Sequence, residues 1–344
     1  MVIKTGFRNN AGKIAAPPYT NGPYTFSEPI TFSNLSYGGT EGDVWFVDGT
    51  NGASTYDGKS WTRAFSIIQL AVTAASAGDV IFVTSKLITD LTGDPTNYAE
   101  NIIIPADTPN LSIIGVSRGR TQGGLPQVKI GAGSTAMLTI RAPGCLIANM
   151  GFNGASSTGG GILLDSDGST KDAFGTTITG CHFKNCKGHS TNGSLGGAIM
   201  WSATGGSWQV LISGNRFYKN VSDICLLGTL NSIPQDVVIE YNDFSAGSNT
   251  DVCFWAGGTG FGDGFVCKNN TFGLIPSIGS GSYAVYMAGT TGTNFNGTGP
   301  MVNNTFGSAG TTTGYGAAKA TAKIGTGVLL SNNYSSAGLI VREA

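Results

Sequence analysis

Charged side chains are scarce in this sequence of 344 residues. Asp, Glu, Lys and Arg together make up 11% of it, whereas about 25% is usual for soluble globular domains. The formal net charge is −1, and no basic stripe runs along the chain. Such a composition excludes the electrostatic footprint of a nucleic-acid-binding domain, so we expect no nucleic-acid partner.

Long apolar runs are also missing. No run of about 18 apolar residues, the length needed to span a bilayer, occurs, and we expect no membrane insertion. The first ten residues, MVIKTGFRNN, contain no apolar h-region. We therefore expect no signal peptide and synthesis in the cytoplasm.

Cysteine and acidic residues are not spaced as metal ligands. There is no CxxC pair among the six cysteines, and we expect buried free thiols that fill the core. The stretch DSDGSTKD, Asp165 to Asp172, differs from a calcium loop because Gly168 comes early and the final Glu is missing. We interpret it as a polar surface loop and expect neither a metal nor a cofactor.

Glycine and short repeated motifs are abundant instead. Gly accounts for 54 residues, and the tetrapeptide NNTF occurs at Asn269–Phe272 and again at Asn303–Phe306. Related segments end in an aromatic residue every 27 to 34 residues, at Phe152, Phe183, Phe217, Phe244, Phe272, Phe306 and Tyr334. A second series of short apolar segments, such as GILLDS and VCFWAG, fills the intervals. Repeats of this length indicate a solenoid of stacked coils.

Equivalent residues of stacked coils lie one strand spacing apart, about 4.8 Å. We therefore expect the repeated aromatic rings to stack inside the core. An asparagine at each turn can bond the asparagine of the next coil and form an internal ladder. We assign this role to Asn215, Asn242, Asn270, Asn304 and Asn333.

The amino-terminal part differs from the repeats. Residues 1–42 are rich in Pro, Asn, Tyr and Ser with an irregular apolar pattern, which predicts an arm that docks on a partner. Ser60 and the helical spacing of Trp61, Phe65, Ile68 and Val72 then predict a capping helix over about 61–77. Such a helix would cover the open apolar end of the solenoid.

Residues 43 to about 344, with the capping segment, NIIIP, LSIIGV and the NNTF-type repeats, resemble the pectate-lyase-like superfamily. The resemblance implies an all-β fold, a right-handed parallel β-helix. It says little about function, since the superfamily includes lyases, hydrolases, epimerases, adhesins and bacteriophage tailspikes. The irregular arm and the lack of a signal peptide look most like a phage virion protein.

Catalytic candidates are acids at positions that depart from the repeat. Aligning SDICLLG with TDVCFWAG places Asp223 and Asp251 in register on adjacent coils. Carboxylates about 5 Å apart suit retaining glycoside hydrolysis, and their repulsion would raise one pKa. The alternative is that both are turn residues that bond their own backbone. Asp165 is a third candidate.

Aromatic residues of the second series are candidate sugar platforms. Trp201, Trp255 and Tyr286 could offer flat apolar surfaces to sugar rings, or they could pack under loops, because strand alternation leaves their direction open. With few charges around them, a neutral glycan fits better than an acidic one.

These features lead to three hypotheses. The first is a tailspike-like virion protein that recognises host surface polysaccharide without marked turnover, with its arm bound to other virion proteins. The second is a depolymerase, a glycoside hydrolase or a lyase, on the same fold. The third is a structural decoration protein of the virion. The low charge of the surface also predicts self-association, and we expect a homotrimer.

Overall fold

A computed structural model of the chain describes residues 7–8, 14–15, 42–86, 98–116, 124–130, 136–154, 159–168, 172–187, 197–201, 208–228, 235–245, 252–256, 264–273, 285–289, 299–306, 328–335 and 338–340. The chain divides into two units, Met1–Thr31 and Phe32–Ala344. In the first unit, the strands Phe7–Arg8 and Ile14–Ala15 pair antiparallel. The second unit contains the three large sheets.

Sheet A contains ten described strands, and every neighbouring pair is parallel. In chain order they are Val44–Val47, Val80–Thr84, Ser112–Val116, Leu146–Ala148, Thr177–Thr179, Leu211–Ser213, Val238–Glu240, Val266–Lys268, Gly299–Val302 and Val328–Ser331.

Sheet B contains nine described parallel strands and one antiparallel strand at its end. The parallel strands are Tyr98–Glu100, Gln127–Ile130, Gly151–Asn153, His182–Lys184, Arg216–Tyr218, Asp243–Ser245, Thr271–Phe272, Thr305–Phe306 and Asn333–Ser335, and the antiparallel one is Gly338–Ile340. Sheet C contains seven described parallel strands, namely Ile102–Ile104, Ala136–Ile140, Gly160–Leu164, Ile199–Trp201, Ile224–Gly228, Val252–Ala256 and Val285–Gly289.

From Val80–Thr84 to Thr305–Phe306, the chain visits the described strands of the three sheets in the order A, B, C and then returns to A one strand further along. This path is a right-handed parallel β-helix, so the predicted fold class is confirmed. Parallel strands need a crossover between them, and here the other two sheets of each coil provide it. Each coil therefore buries its apolar face against the coils before and after it.

The repeated phenylalanines form one stack inside the helix. Phe152, Phe183, Phe217, Phe244, Phe272 and Phe306 are in register in sheet B. Their ring centroids are 4.7 to 5.0 Å apart, with interplanar angles of 3° to 11°. The predicted stack is confirmed for these six rings. Tyr334, which was assigned to the same series, is instead 52% exposed, because it pairs with Thr305 on the outward side of the strand.

The asparagine ladder is also confirmed. Each amide nitrogen from Asn215 to Asn304 donates to the Oδ1 of the next asparagine at 2.9 to 3.1 Å. The same nitrogen donates to a sheet A carbonyl of the preceding coil, for example Asn270 Nδ2 to Ile239 O at 2.9 Å. The Oδ1 also accepts the backbone N–H of the preceding asparagine. Every hydrogen-bonding group of a central amide is thus satisfied, as a buried polar ladder requires.

The turn from sheet A to sheet B explains the first asparagine of NNTF. The residue before each ladder position has a positive φ of 52° to 66°, at Gly214, Tyr241, Asn269, Asn303 and Asn332. Glycine and asparagine are the residues that adopt this left-handed conformation most readily. Tyr241 is the exception in the series, and its ring is 60% exposed.

The capping segment differs from the prediction. A 3-10 helix at Trp61–Arg63 and an α-helix at Ile68–Ala74 replace the single helix expected over 61–77, and the side chain of Ser60 makes no capping bond. The residues between them are extended, because the Phe65 N–H donates to Phe46 O at 2.9 Å and the Asp48 N–H donates to Phe65 O at 2.9 Å. Pairing with the first strand therefore prevails over helical spacing.

A carboxylate from sheet B holds the start of the α-helix. The N–H groups of Ile68 and Gln69 donate to the two carboxyl oxygens of Glu100, each at 2.9 Å. Ile68, Ala71 and Val72 then pack into the core. The helix thus covers the first coil, as a cap must.

The described cysteines are buried and free, at Cys145, Cys181, Cys186, Cys225 and Cys267, as the sequence predicts. Burial raises the pKa of the Cys145, Cys181 and Cys267 thiols to about 12. Within the described parts of the chain, no helix has the length and apolar character needed to cross a bilayer.

Candidate functional site

Asp223 lies at the start of a sheet C strand and has no exposed surface. Its Oδ1 accepts a bond from Asn220 Nδ2 at 2.7 Å, and its charge adds to burial in raising the pKa of the Cys186 thiol. Asp223 is thus a buried carboxyl that accepts a bond from the side chain of Asn220, three residues earlier, whereas the alternative proposed a bond to its own backbone. A polysaccharide does not reach it in this structure.

The predicted register of the acid pair is correct for the strands that follow the two acids. Ile224 pairs with Val252, and the next four residues of both strands stay in register. Asp251 itself lies outside the described residues. Asp165 follows the sheet C strand Gly160–Leu164, whereas Asp223 precedes the sheet C strand Ile224–Gly228. Continuing the strand pairing between them places the two acids two strands and four residues apart. This offset amounts to roughly 16 Å, too far for the two carboxylates of a glycosidase.

Asp165 has a structural partner. Arg141 Nε lies 2.9 Å from Asp165 Oδ2, and a bridge joins Ser166 to Asp172 across the loop. Burial raises the pKa of Asp172, whose Oδ1 accepts the Phe174 N–H at 2.9 Å. Among the described residues, no three His, Cys, Asp or Glu side chains are grouped so that they could hold a metal ion.

Trp201 is not a sugar platform. Its side chain is fully buried and belongs to the main apolar core, because the strand alternation turns it inward. Trp255 and Tyr286 belong to sheet C strands, where Trp255 pairs with Leu227 and Tyr286 pairs with Cys253. Their side chains lie outside the described part of the structure, so their role as platforms stays a prediction.

The outward face of sheet B carries a series of polar side chains among the described residues. Residues on either side of each stacked phenylalanine point away from the core, and they form two columns across the coils. One column contains Gln127, Gly151, His182, Arg216, Asp243, Thr271, Thr305 and Tyr334, and the other contains Lys129, Asn153, Lys184, Tyr218 and Ser245.

In the first part of this face Lys129 is exposed, but four other polar residues are buried. His182 and Lys184 are only 4% and 3% exposed, and Gln127 and Asn153 are buried as well. Asn153 Nδ2 donates to Gln127 Oε1 at 3.3 Å. These four side chains are therefore shielded from solvent.

The next two coils are open to solvent. Arg216, Tyr218 and Lys219 come from one coil, and Tyr241 and Asp243 come from the next. Arg216 Nε lies 3.8 Å from Asp243 Oδ2, and both side chains are about half exposed, at 46% and 50%. Lys219 Nζ lies 5.1 Å from the centre of the Tyr218 ring. We call these five residues the sheet B patch.

The geometry of the sheet B patch suits a sugar chain. The register pairs Arg216 with Asp243 and Tyr218 with Ser245. Tyr218 and Tyr241 therefore lie at opposite ends of a row that crosses the two neighbouring strands. Four residues separate the two ends, which is at most about 13 Å and leaves room for two or three sugar rings. Aromatic rings at the ends and hydrogen-bonding groups between them are the elements of a glycan site.

Sequence reasoning missed this patch, although the pattern was present. The triplets GFN, HFK, RFY and DFS align on the stacked phenylalanine, and the flanking letters are therefore the outward residues. Exposure could not be predicted in this way, because His182 and Arg216 hold the same register position and only Arg216 is exposed.

Comparison with known protein families and with curated proteins yields no match. Among solved structures, Escherichia coli YbhC superimposes with a TM-score of 0.51 at 12% identity, over 94% of this chain and 89% of that chain. The GH136 lacto-N-biosidase from Eubacterium ramulus gives a TM-score of 0.38 at 10% identity, over 85% of this chain and 68% of that one. ORF18 of Geobacillus virus E2 gives 0.40 at 10% identity, over 78% of this chain and 56% of that one. The similarity to YbhC is one of fold alone, and the two looser superpositions carry no functional argument.

Proposed function

We propose that this chain is a tailspike-like protein of a phage particle and that it recognises host cell-surface glycan through the sheet B patch. The observation that carries the proposal is the pair of adjacent coils with two tyrosines, an arginine, a lysine and an aspartate on their outward side. The stacked phenylalanines and the asparagine ladder fix the backbone beneath them. A rigid scaffold keeps the entropic cost of binding low.

Recognition without marked turnover is the form of the function that we favour. Asp223 is buried, and Asp165 is paired with Arg141 far from it. The sheet B patch contributes one carboxylate, Asp243, whereas glycoside hydrolysis uses two. The virion assignment is supported by the arm of residues 1–42 and by the resemblance of the sequence to phage β-helix proteins. We propose that this arm docks on other virion proteins.

A glycan array printed with host surface polysaccharides tests the proposed function. The wild-type protein and Tyr241→Asn are compared, since asparagine occupies the equivalent turn at Asn269 and Asn303. The substitution removes the aromatic ring and keeps a residue suited to the positive φ. Tyr334→Ala is the matched control, because this tyrosine is also exposed, on the last parallel strand of the same sheet.

We expect the wild type and the Tyr334 variant to bind the same glycans and Tyr241→Asn to bind them at least tenfold more weakly, the loss of about 1.4 kcal/mol. Binding to no glycan would favour the structural decoration protein. Release of reducing ends from a bound polysaccharide would favour the depolymerase.

A further inference from the structure

A column of rings runs along the turn that leads into sheet A. In this turn one residue of each coil has a positive φ, and its N–H donates to the carbonyl, in the next coil, of the residue before the positive-φ position. The Gly175 N–H, for example, donates to Trp208 O at 2.8 Å. These bonds align Pro109, Pro143, Phe174, Trp208 and Gln235 in successive coils. The column therefore contains four ring residues in a row and then a flexible amide.

The row of rings ends at Trp208. Its indole lies parallel to the Phe174 ring, with centroids 4.9 Å apart and an interplanar angle of 3°, so Phe174 covers one face. The other face is directed toward the next coil, where the column continues with Gln235. Trp208 is 38% exposed. The column thus presents an aromatic face at a step, and the ring of a ligand can continue the stack there.

Polar side chains lie beside this step. Gln209, Gln235 and Asp236 are all exposed, and the Gln209 N–H donates to Gln235 O at 2.9 Å, which keeps the two coils in register. A Cβ atom at Gly264 would lie 2.2 Å from Asp236 Oδ1, so the carboxylate lies close to the following coil. The two amides donate and accept hydrogen bonds, and the carboxylate accepts them.

This combination of groups favours an uncharged sugar ring as the ligand. A flat aromatic face with a few hydrogen-bonding groups at its side suits a sugar better than a purely apolar molecule. Asp236 carries a negative charge beside the step, and like charges in contact are costly. A sugar that bears a carboxylate or a phosphate is therefore disfavoured.

The step and the sheet B patch belong to the same two coils. Trp208 lies three residues before the strand Leu211–Ser213, and Tyr241 follows the neighbouring strand Val238–Glu240 directly. The register of these strands places Trp208 and Tyr241 six residues apart along the strand direction, which is roughly 20 Å. A polysaccharide-coated surface presents many sugar units, and two contacts at a fixed spacing raise the overall affinity for it.

We propose that the open face of Trp208, with Gln209, Gln235 and Asp236 beside it, is a second carbohydrate site that takes an uncharged sugar unit of the host glycan. The proposal rests on the proposed function and deepens it. The chain then holds the glycan layer at two points, on either side of sheet A.

The indole N–H signals of the full chain in NMR test the site directly. The chain has five tryptophans, and Trp208→Phe keeps a ring on Phe174 while it removes one indole signal, which assigns that signal to Trp208. The probes are glucose, galactose, N-acetylglucosamine and glucuronate. We expect at least one uncharged sugar to shift the Trp208 signal in a saturable way, in wild type and in Tyr241→Asn alike, and glucuronate to leave it unchanged.

Affinity for immobilised host polysaccharide is the second measurement. Trp208→Gln introduces the residue that the next coil has at the equivalent position, and we expect at least about tenfold weaker binding because one of two linked contacts is lost. Trp61→Gln is the matched control, since Trp61 is 41% exposed on the cap, and we expect its affinity to equal that of the wild type. Thermal melting checks that both variants fold.

The outcomes separate the second site from the proposed function. A Trp208 signal that no uncharged sugar shifts, or whose shift disappears in Tyr241→Asn, would overturn the second site, and binding that Tyr241→Asn still weakens would leave the sheet B patch standing. Polysaccharide binding that Trp208→Gln leaves unchanged would also overturn it. Binding lost in Trp208→Gln and unaffected in Tyr241→Asn would support the second site and contradict the sheet B patch. Binding of no glycan at all would overturn both.

Discussion

The four residues of NNTF have four different roles, and the repeat follows from them. In the first copy, Asn269 adopts the positive φ of the turn and Asn270 extends the buried ladder. Thr271 lies on the outward face, and Phe272 joins the ring stack. A tetrapeptide without acid, base or thiol is therefore repeated because it builds one corner of a coil.

The first prediction at this scale concerns the ring stack. Phe244→Ala removes a fully buried ring that stacks on both neighbours at 4.8 Å. We expect a loss of about 3–5 kcal/mol in the free energy of unfolding, measured by chemical denaturation. Thr271→Ala on the exposed face is the control, and an equal effect of the two substitutions would contradict the assignment.

The second prediction separates the two asparagines. Asn270→Ala leaves buried partners at Asn242, Asn304 and Ile239 without their bonds. We expect a loss of at least about 3 kcal/mol, since each unsatisfied buried group costs about 1–3 kcal/mol. Asn269→Gly keeps the positive φ, and we expect little change in the denaturation midpoint. Equal losses of unfolding free energy in both variants would contradict a particular contribution of the ladder to stability.

The core residues could be predicted from the sequence because a stack and a ladder need the same residue type in every coil. The sheet B patch could not, because each of its residues occurs once. Arg216 and Asp243 hold the position that Thr271 and Thr305 hold in later coils. No repeat marks them, and their exposure depends on which parts of the chain cover each coil.

At the scale of the elements, the cap shows how strand pairing limits helix propensity. The helical spacing of Trp61, Phe65, Ile68 and Val72 is real, but the structure has an α-helix over Ile68–Ala74 alone. Phe65 instead pairs with Val47 as an isolated bridge. The spacing of apolar side chains carries no information about the backbone N–H groups of Val44–Val47. These groups require hydrogen-bond partners at the end of the sheet.

The contact of Glu100 with this helix gives a prediction for pH. Burial is the main cause that raises the pKa of Glu100, while the N–H groups of Gln69 and Ile68 lower it. The folded state therefore holds its proton more tightly than the unfolded state. The resulting stability is fully present below the unfolded pKa and is lost as pH rises through the folded pKa.

Glu100→Gln has no titration at this position. We expect the difference in unfolding free energy between wild type and variant to shift against the wild type as the pH rises from about 4 to 7. Chemical denaturation at several pH values in this range measures it, and the other titrating groups cancel in the difference. A difference that is constant with pH would contradict the raised pKa.

For the whole molecule, the chain offers a prediction on assembly. We expect a homotrimer, because the described outward columns of sheet A contain Glu240 and Lys268 as their charged residues, and these two pair with each other. A face with little charge has little electrostatic defence against self-association. Light scattering of the isolated protein should give three times the mass of one chain, and a monomer at micromolar concentration would contradict the expectation.

The arm gives a second prediction at this scale. Its Pro-rich composition does not support a core of its own, and we expect deletion of residues 1–42 to leave a folded β-helix that no longer joins a virion or a neighbouring chain. Circular dichroism checks the fold, and co-sedimentation with phage particles checks the docking. Loss of the β-sheet spectrum in the deletion variant would mean that the arm contributes to the core.

The central claim is that glycan binds to the outward face of sheet B at two particular coils. Hydrogen–deuterium exchange of the full chain, with and without a glycan that it binds on the array, tests this claim most directly. We predict that the glycan slows exchange in peptides that cover Arg216–Tyr218 and Tyr241–Ser245 and leaves the sheet A peptides unchanged. Slower exchange confined to the sheet C strands around Trp255 and Tyr286, with no change at Arg216–Tyr218, would contradict it.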